Sequence, residues 1–209
     1  MTKLVVGTSY PRRDLAEKLT GETKYTSDIK LPGMLYGQFL RSPHPHARIV
    51  TVDGSNALKL PGVHSVLTPF DVPGGRIAPD LPILDKYVRF VGDEVAAVAA
   101  EDEDIAHVAL QLIEVQYEVL PFVIDAEKAL LPNAPHVHPE GNLVNGKPLV
   151  LTRGNVEEGF ATADRVFEET FTTAAHSGVA LEPRAAIACW EKDQLTVWKT
   201  SRGIHADRA

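Results

Sequence analysis

The chain has 209 residues, of which 44% are hydrophobic and 23% are charged, a balance typical of a folded protein and not of a disordered one. Its 28 acidic and 21 basic side chains give a net charge of -7, so we expect neither nucleic acid nor an anionic membrane surface as a partner. The single cysteine, Cys189, excludes an internal disulfide bond. It also excludes an iron–sulfur cluster held by this chain alone, because such a cluster needs about four thiolates.

The N-terminal sequence MTKLVVGTSYPRRDL contains an apolar patch that is too short for the core of a signal peptide. No later stretch approaches the ~20 apolar residues of a membrane helix. We therefore predict a cytoplasmic protein that does not bind membranes.

Two predicted strands, residues 34–41 and 48–53, flank the sequence SPHPHA. The prolines between them exclude a regular strand and predict a loop. His44 and His46 lie two residues apart in this loop, a spacing that an extended backbone could present to one metal ion. The spacing alone does not decide between a metal site and a structural loop.

A second pair of histidines, His136 and His138, repeats the same spacing, and four imidazoles could form a zinc site. Prolines surround each pair, however, and no cysteine lies beside them. This composition favours surface connections, and we predict no metal site.

Residues 55–60 are predicted to form a short helical turn that Pro61 and Gly62 end, and residues 63–68 a third strand. The density of proline and glycine between 69 and 85 predicts an exposed loop. A strand over 88–91 then stops at Gly92.

The clearest pattern lies between residues 95 and 119. A buried strand over 95–100 is followed by four acids, a helix, and an alternating strand over 113–119, which together predict a split β-α-β unit. The buried helix face is predicted from the spacing of four apolar residues, namely Ile105, Val108, Ala109 and Leu112. The acids at 101–104 could be read as a catalytic carboxylate pair, but acids at a helix start are favoured by the helix dipole, and we interpret them as caps.

The proline- and asparagine-rich stretch 132–150 predicts a linker. Beyond it, 154–163 is predicted to be helical, and 165–173, 185–191 and 194–201 to be extended. This second domain has only about 60 residues, which bury a core poorly, so we expect another chain or segment to complete it. Its exposed apolar face is predicted to carry Leu195, Val197 and Trp198.

General catalytic motifs are missing from the sequence, which has no G-x-G-x-x-G after a strand, no phosphate-binding loop and no G-x-S-x-G elbow. Cys189 lies in an alternating apolar run and is interpreted as an unreactive packing residue. The segment around His176 reads as a surface turn, with an ion pair between Glu182 and Arg184.

Several long stretches closely resemble the molybdopterin-binding subunit of the xanthine dehydrogenase and aldehyde oxidase family. They are LPGMLYGQFLRSPHPHARIVTVD, LPGVHSVLTPFDV, VRFVGDEVAAVAAEDEDIAHVALQLIEVQYEVLPFVIDAEKAL, and HSGVALEPRAAIACW followed by LTVWKTS. The resemblance covers 13–130 and 140–209. It implies an α+β chain in which an a/b hammerhead domain precedes an incomplete α/β molybdopterin-binding domain. We place the hammerhead domain at 1–131, the linker at 132–150 and the start of the cofactor-binding domain at 151–209.

In this family the stretch that matches RSPHPHAR is a structural loop between two hammerhead strands. The resemblance also implies that the complete enzyme oxidises a small molecule with oxygen from water, on a molybdenum-molybdopterin cofactor. Electrons would leave through two iron–sulfur clusters, of the 2Fe-2S type, to FAD. The expected partners are the remaining molybdopterin-binding subunit or segment, an iron–sulfur subunit and an FAD subunit.

The general-base glutamate of the family and most of its pterin-binding loops match no part of this chain, so no catalytic residue is predicted here. One family position does fall inside the chain. Where relatives commonly have a glutamine that approaches the molybdenum oxo group, this sequence has Arg202, followed by Gly203. We expect these two residues to bind the cofactor, although Arg202 could also face solvent. An arginine in place of glutamine also leaves open a noncatalytic assembly or interaction subunit built on the hammerhead fold.

Overall fold

The computed structural model describes residues 7–72, 75–78, 81–203, 205 and 207. The strands are β1 Tyr36–Arg41, β2 Ala47–Asp53, β3 Val63–Leu67, β4 Gly75–Ala78, β5 Leu81–Ile83, β6 Tyr87–Val88, β7 Glu94–Ala100, β8 Glu114–Val119, β9 Ala186–Glu191 and β10 Gln194–Lys199. The α-helices are α1 Leu15–Thr20, α2 Ser55–Leu58, α3 Glu103–Gln111, α4 Ala126–Ala129 and α5 Val156–Thr162, with 3-10 turns at Thr26–Asp28 and Val144–Gly146. The mixed helix and sheet content is the predicted one.

The first sheet is antiparallel, with β7 between β1 and β3. Ala97 of β7 lies opposite Phe39 on one side and Leu67 on the other. Helices α2 and α3 contribute to the core on one face of this sheet, because small side chains allow close approach. The buried cluster contains Ala57, Ala96, Val98, Ala100, Ala106, Ala109 and Ile113.

The second sheet is also antiparallel, with β2 between β6 and β8. Its buried residues Ala47, Ile49 and Val88 form one cluster with Val95, which comes from β7 of the first sheet. The two sheets therefore share apolar contacts through β7, the strand whose apolar run the sequence predicted to be buried.

Helix α3 begins where predicted, but the set of residues on its buried face differs from the predicted one. Ala106 and Ala109 are fully buried, whereas Val108 is 46% exposed and Leu112 is 37% exposed. The prediction rested on the spacing of apolar residues, whereas the packed interface also includes the small residue Ala106, which lets the helix lie close to the strands. Ile105 and Ala109 do belong to the packed face.

The split β-α-β prediction is wrong in topology, since β7 and β8 lie in different sheets. The predicted loop over 69–85 is also partly wrong, because β4 and β5 pair within it and Gly75 lies opposite Ile83. The predicted strand over 88–91 pairs only through β6, at Tyr87 and Val88.

Strands β9 and β10 form an antiparallel ribbon, as the alternating sequence predicted. Leu195 lies opposite Trp190, and Trp198 opposite Ile187. Successive strand residues point to opposite faces, so Trp198 does not share a face with Leu195 and Val197, and that part of the prediction is wrong. Within the described chain, residues 165–173 are irregular and join no sheet.

The described chain divides into two compact units, one over residues 33–164 and one containing the residues before 33 together with those from 165 onward. The domain division at 131 and 150 remains a prediction. Among the residues that the structure describes, no helix has the length and apolar character needed to cross a membrane.

Candidate functional site

The loop between β1 and β2 holds its histidines in protein contacts. His46 is buried, and its Nδ1 atom lies 2.8 Å from the carbonyl oxygen of Pro121. Because a carbonyl oxygen only accepts, Nδ1 must carry the proton and donate it. The ring of His44 packs edge-on against Tyr117, with 4.9 Å between centroids. Both imidazoles thus have a structural role.

The same loop is bonded to the turn that precedes β7. The Ser42 N–H donates to the Asp93 carbonyl at 2.8 Å, and the Gly92 N–H donates back to the Ser42 carbonyl at 2.8 Å. Arg41 adds a guanidinium bond of 2.7 Å to the Gly92 carbonyl and an ion pair of 2.8 Å with Glu94. These bonds hold the RSPHPHAR segment against β7 and identify it as a structural loop.

The Asp93 side chain caps this turn. Its two oxygens accept the N–H of Arg89 at 2.8 Å and the N–H of Glu94 at 3.0 Å. Burial raises the pKa of the Asp93 carboxyl, and the two backbone donors only partly oppose that effect.

The second histidine pair lies in a segment organised by Asn142. The Asn142 amide donates to the carbonyls of Ala129 at 3.0 Å and Pro135 at 2.9 Å, and its oxygen accepts the Val137 N–H at 3.0 Å. In the described part of the chain, no three histidine, cysteine or acidic side chains lie together as metal ligands would.

The acidic run before α3 contains the helix cap, as predicted. Asp102 is the N-cap, and its carboxylate accepts the Asp104 N–H at 2.7 Å. Glu101 lies 3.0 Å from Nε2 of the exposed His64. Neither carboxylate is buried, so the pair has no environment suited to acid–base catalysis.

The end of the β9–β10 ribbon brings two of the family-like stretches together at Thr200. The Thr200 N–H donates to the Ala185 carbonyl at 3.0 Å, and the Thr200 hydroxyl accepts the Ala185 N–H at 3.3 Å. The same hydroxyl lies 3.4 Å from Oε1 of Glu182. Sequence reasoning instead paired Glu182 with Arg184 and missed Thr200. The contact spans 18 residues, so no local pattern signals it.

The predicted cofactor-binding residues follow directly after this junction. Arg202 and Gly203 are both exposed. The Gly203 N–H donates to Oγ of Ser201 at 3.0 Å, and the Gly203 carbonyl accepts the Asp207 N–H at 3.1 Å. Within the described residues, no carboxylate pairs with the Arg202 guanidinium, whose five N–H donors suit the oxygens of a phosphate or a pterin ring.

An ion pair joins the two ends of the segment around Arg202. Nζ of Lys199 lies 2.8 Å from Asp207. The hydrogen bond from Lys199, with a second from Ser201, lowers the pKa of the Asp207 carboxyl. Asp207 is therefore ionised at neutral pH but already paired with Lys199, so among the described residues of this segment Arg202 is the cation without a carboxylate partner.

Comparison with known proteins identifies the family. Residues 20–121 match the family model described as aldehyde oxidase and xanthine dehydrogenase, a/b hammerhead domain. Residues 137–209 match the molybdopterin cofactor-binding domain. The chain belongs to the xanthine dehydrogenase and aldehyde oxidase family. The predicted resemblance and fold class are thereby confirmed.

Relatives within this family include components of dehydrogenases. The chain is 46% identical over 203 residues to a probable xanthine dehydrogenase subunit of Bacillus subtilis, covering 94% of this chain and 27% of the relative. It is 36% identical to the nicotinate dehydrogenase large molybdopterin subunit of Eubacterium barkeri, covering 98% of this chain and 49% of the relative. The chain thus spans about a quarter to a half of the length of these relatives.

Solved structures of family members have the same fold over most of the chain. The aldehyde oxidoreductase of Desulfovibrio gigas matches with a TM-score of 0.80 and 29% identity, over 96% of this chain and 24% of that protein. Quinoline 2-oxidoreductase of Pseudomonas putida 86 matches with a TM-score of 0.75 and 33% identity, over 92% of this chain and 26% of that protein. The likeness therefore extends across both family regions.

Proposed function

We propose that the chain is a component of a molybdenum-dependent oxidoreductase of the hydroxylase type. The observation that carries this proposal is the match of residues 137–209 to a molybdopterin cofactor-binding domain, next to a hammerhead match over 20–121. The chain would supply the hammerhead scaffold and one wall of the cofactor and substrate channel. It is not expected to be active alone, because it spans 27% of a relative that is 46% identical to it.

Arg202 and Gly203 are the residues that would contact the cofactor. The exposed guanidinium offers donors to cofactor oxygens, and the glycine permits close approach of the backbone. When bound, a molybdenum-molybdopterin cofactor supplies the two-electron oxidation of the substrate. The chain's own contribution is to bind and orient oxygens at the Arg202 guanidinium. Our proposed division of the chain is 1–131 for the hammerhead domain, 132–150 for the linker and 151–209 for the cofactor-binding part.

The substrate would be an aldehyde, a nitrogen heterocycle or an aromatic acyl thioester. Two relatives, a nicotinate dehydrogenase and a nicotine 6-hydroxylase, have names that support a nitrogen heterocycle, whereas a third is named carbon monoxide dehydrogenase. Partners would be the remaining molybdopterin-binding subunit or segment, an iron–sulfur subunit with 2Fe-2S clusters and an FAD subunit, together forming a cytoplasmic complex. One relative is named as part of a 6-hydroxypseudooxynicotine dehydrogenase complex, which supports partner subunits in general.

Metal and pterin analysis of the purified, intact assembly tests the proposal. We expect molybdenum and pterin in equal amounts, at about one of each per copy of this chain. An intact assembly that contains neither would contradict an enzymatic role.

A noncatalytic assembly subunit is the second candidate. Arg202 in place of the family glutamine favours it, because an arginine cannot act as a hydrogen-bond acceptor. In that case the chain would still join the complex. Substitutions in the segment 200–203 would then change neither the molybdenum content nor the turnover of the complex.

A further inference from the structure

Asn145 and Gly146 form the one asparagine–glycine pair of the sequence. In such a pair the backbone nitrogen of the glycine can attack the side-chain amide of the asparagine, because glycine has no Cβ to hinder the approach. The other four asparagines precede alanine, leucine or valine, and they are Asn56, Asn133, Asn142 and Asn155. The two reacting groups are therefore adjacent and unhindered at a single asparagine of the chain.

The fold leaves this pair exposed and weakly held. Both residues are exposed in the 3-10 turn Val144–Gly146, where Asn145 has a left-handed backbone with φ +58° and ψ 23°. That conformation is unfavourable for a residue with a Cβ. The Gly146 N–H donates to the Leu143 carbonyl at 2.9 Å, and no described residue bonds to the Asn145 side chain. A strained residue and one exposed hydrogen bond make local opening of the turn easy, and opening frees the Gly146 nitrogen.

The neighbouring asparagines lack one or the other of these properties. Asn142 is half-buried, and its side chain makes three hydrogen bonds to the carbonyls of Ala129 and Pro135 and to the Val137 N–H. Asn133 is exposed but is followed by an alanine, whose Cβ hinders the attacking nitrogen. Both are therefore matched internal controls for Asn145.

Asp53 and Gly54 form the one aspartate–glycine pair, which could close the same ring, but the fold protects it. Oδ1 of Asp53 accepts the Ser55 N–H at 2.9 Å, and a Cβ placed on Gly54 would lie 2.8 Å from Cγ1 of Val66. The hydrogen bonds from Ser55 also lower the pKa of the Asp53 carboxyl. The group is thus ionised at neutral pH, and a carboxylate is a poor electrophile.

We infer that Asn145 is a site of spontaneous modification, at which the side-chain amide becomes a carboxylate through a cyclic imide formed with Gly146. The Gly146 nitrogen loses its proton and bonds to Cγ of Asn145, the Cγ–Nδ2 bond breaks, and ammonia leaves with that proton. Water then opens the imide at either carbonyl, which gives aspartate or isoaspartate. Water is the only co-reactant, and no electrons are transferred.

The modification changes both charge and backbone at this turn. Each event adds one negative charge to a chain whose net charge is -7. Isoaspartate also inserts a carbon into the backbone, so the Gly146 N–H no longer meets the Leu143 carbonyl in the same turn. The three hydrogen bonds of Asn142 lie outside the ring that forms, so we expect the segment that they hold to stay in place.

One tryptic peptide tests the site against its controls. Trypsin releases residues 129–153 together, because Pro148 protects Lys147 from cleavage, and this peptide contains Asn133, Asn142 and Asn145. The purified full chain is kept in mildly alkaline buffer made with heavy-oxygen water, and fragment masses then locate the incorporated oxygen. We expect incorporation at residue 145 to be on the order of tenfold or more faster than at the other two, with both aspartate and isoaspartate as products. Equal incorporation at all three positions, or aspartate without isoaspartate, would overturn the inference.

Synthetic peptides of residues 48–59 and 139–151 separate the effect of the fold from that of the sequence. We expect Asn145 to react in the folded chain within about tenfold of its rate in the peptide, because the turn opens easily. Isomerisation of Asp53 should be slower in the folded chain on the order of a hundredfold or more. If the fold slowed Asn145 as much as Asp53, the turn would be protective and the inference wrong.

A substitution pair gives an independent readout by ion exchange of the native chain. Asn145→Gln keeps an amide but would need a larger ring, so the acidic species that accumulates in the unmodified sequence should be lost. Asn133→Gln, at another exposed asparagine of the same peptide, should leave that species unchanged. An acidic species that persists in Asn145→Gln would place the modification elsewhere.

Discussion

The Nδ1 atom of His46 lies 2.8 Å from the carbonyl oxygen of Pro121, although the two residues are 75 positions apart in the chain. The Leu120 N–H donates to the His46 carbonyl at 2.9 Å in the same place. Two hydrogen bonds therefore join the loop after β1 to the end of β8. A buried histidine with this geometry is a structural hydrogen-bond donor, which supports a structural role for the histidine-rich loop.

Replacement of His46 tests this role. His46→Ala removes a buried side chain and leaves the Pro121 carbonyl without its donor, so we expect the free energy of unfolding to fall by about 2–4 kcal/mol. Urea unfolding followed by circular dichroism measures the change. His107→Ala is the matched control, because His107 is exposed on α3, and it should change stability by less than about 0.5 kcal/mol. Equal effects of both substitutions would contradict a structural role for His46.

The turn before β3 depends on Gly62. Its φ is +88°, and a Cβ placed there would lie 2.8 Å from Cδ1 of Ile105 on α3. Gly62→Ala should therefore be destabilising through both backbone strain and a clash, by about 2–4 kcal/mol. Gly92→Ala separates the two effects, since Gly92 has a φ of +99° but open space at the Cβ position. We expect Gly92→Ala to lower the free energy of unfolding by the cost of backbone strain alone, about 1–2 kcal/mol. A larger loss of stability for Gly92→Ala than for Gly62→Ala would refute the argument.

Elements with strong periodicity could be predicted from the sequence, whereas their partners could not. The run over 95–100, the helix after the acids and the ribbon strands all appear where the pattern placed them. Sheet membership is different, because β7 pairs with strands that lie far away in the chain and β8 pairs with β2. Strand pairing depends on which apolar faces fit together, and a local pattern does not contain that information.

The candidate site shows the same limit at the level of single residues. Side chains alternate between the two faces of a strand, so Trp198 lies on the face away from Val197 and Leu195, and this could have been predicted from the sequence. The contact between Thr200 and Glu182 could not, since it depends on how the ribbon closes. The resemblance to a family supplied Arg202 as a position of interest, while the exposure of its guanidinium became visible only in the fold.

Asp93 makes the stability of the folded chain depend on pH, and this dependence can be measured. Burial raises the pKa of its carboxyl in the folded state, so the folded state binds a proton more tightly than the unfolded chain does. Stability from this group is greatest when the carboxyl is protonated and is lost as the pH rises from about 4 through the raised pKa. Asp93→Asn removes the titration. We therefore expect the difference in unfolding free energy between the native chain and the variant to shift in favour of the variant as the pH rises from about 4 to about 7.

Asp93→Asn also replaces one accepting oxygen by an amide donor that faces a backbone N–H. At low pH, where the native carboxyl is neutral, the variant should still be less stable by about 1–3 kcal/mol. Urea unfolding at several pH values measures both effects. A stability difference that moved against the variant with rising pH would show that the hydrogen bonds from Arg89 and Glu94 outweigh burial.

Arg202 is the residue on which the enzymatic proposal can be tested most directly. Its guanidinium is exposed, it follows the ribbon strand β10, and no carboxylate in the described chain neutralises it. If it binds cofactor or substrate oxygens in the assembled enzyme, Arg202→Gln should change turnover or substrate preference on the order of a hundredfold, the scale of one charged contact to a transition state. Arg165→Gln, an exposed arginine of the same compact unit, is the control and should leave both unchanged. Molybdenum content is measured in parallel, so that loss of the cofactor is distinguished from a slower reaction. A rate within about twofold of the native complex, at full molybdenum content, would place Arg202 in solvent and favour the noncatalytic assembly subunit.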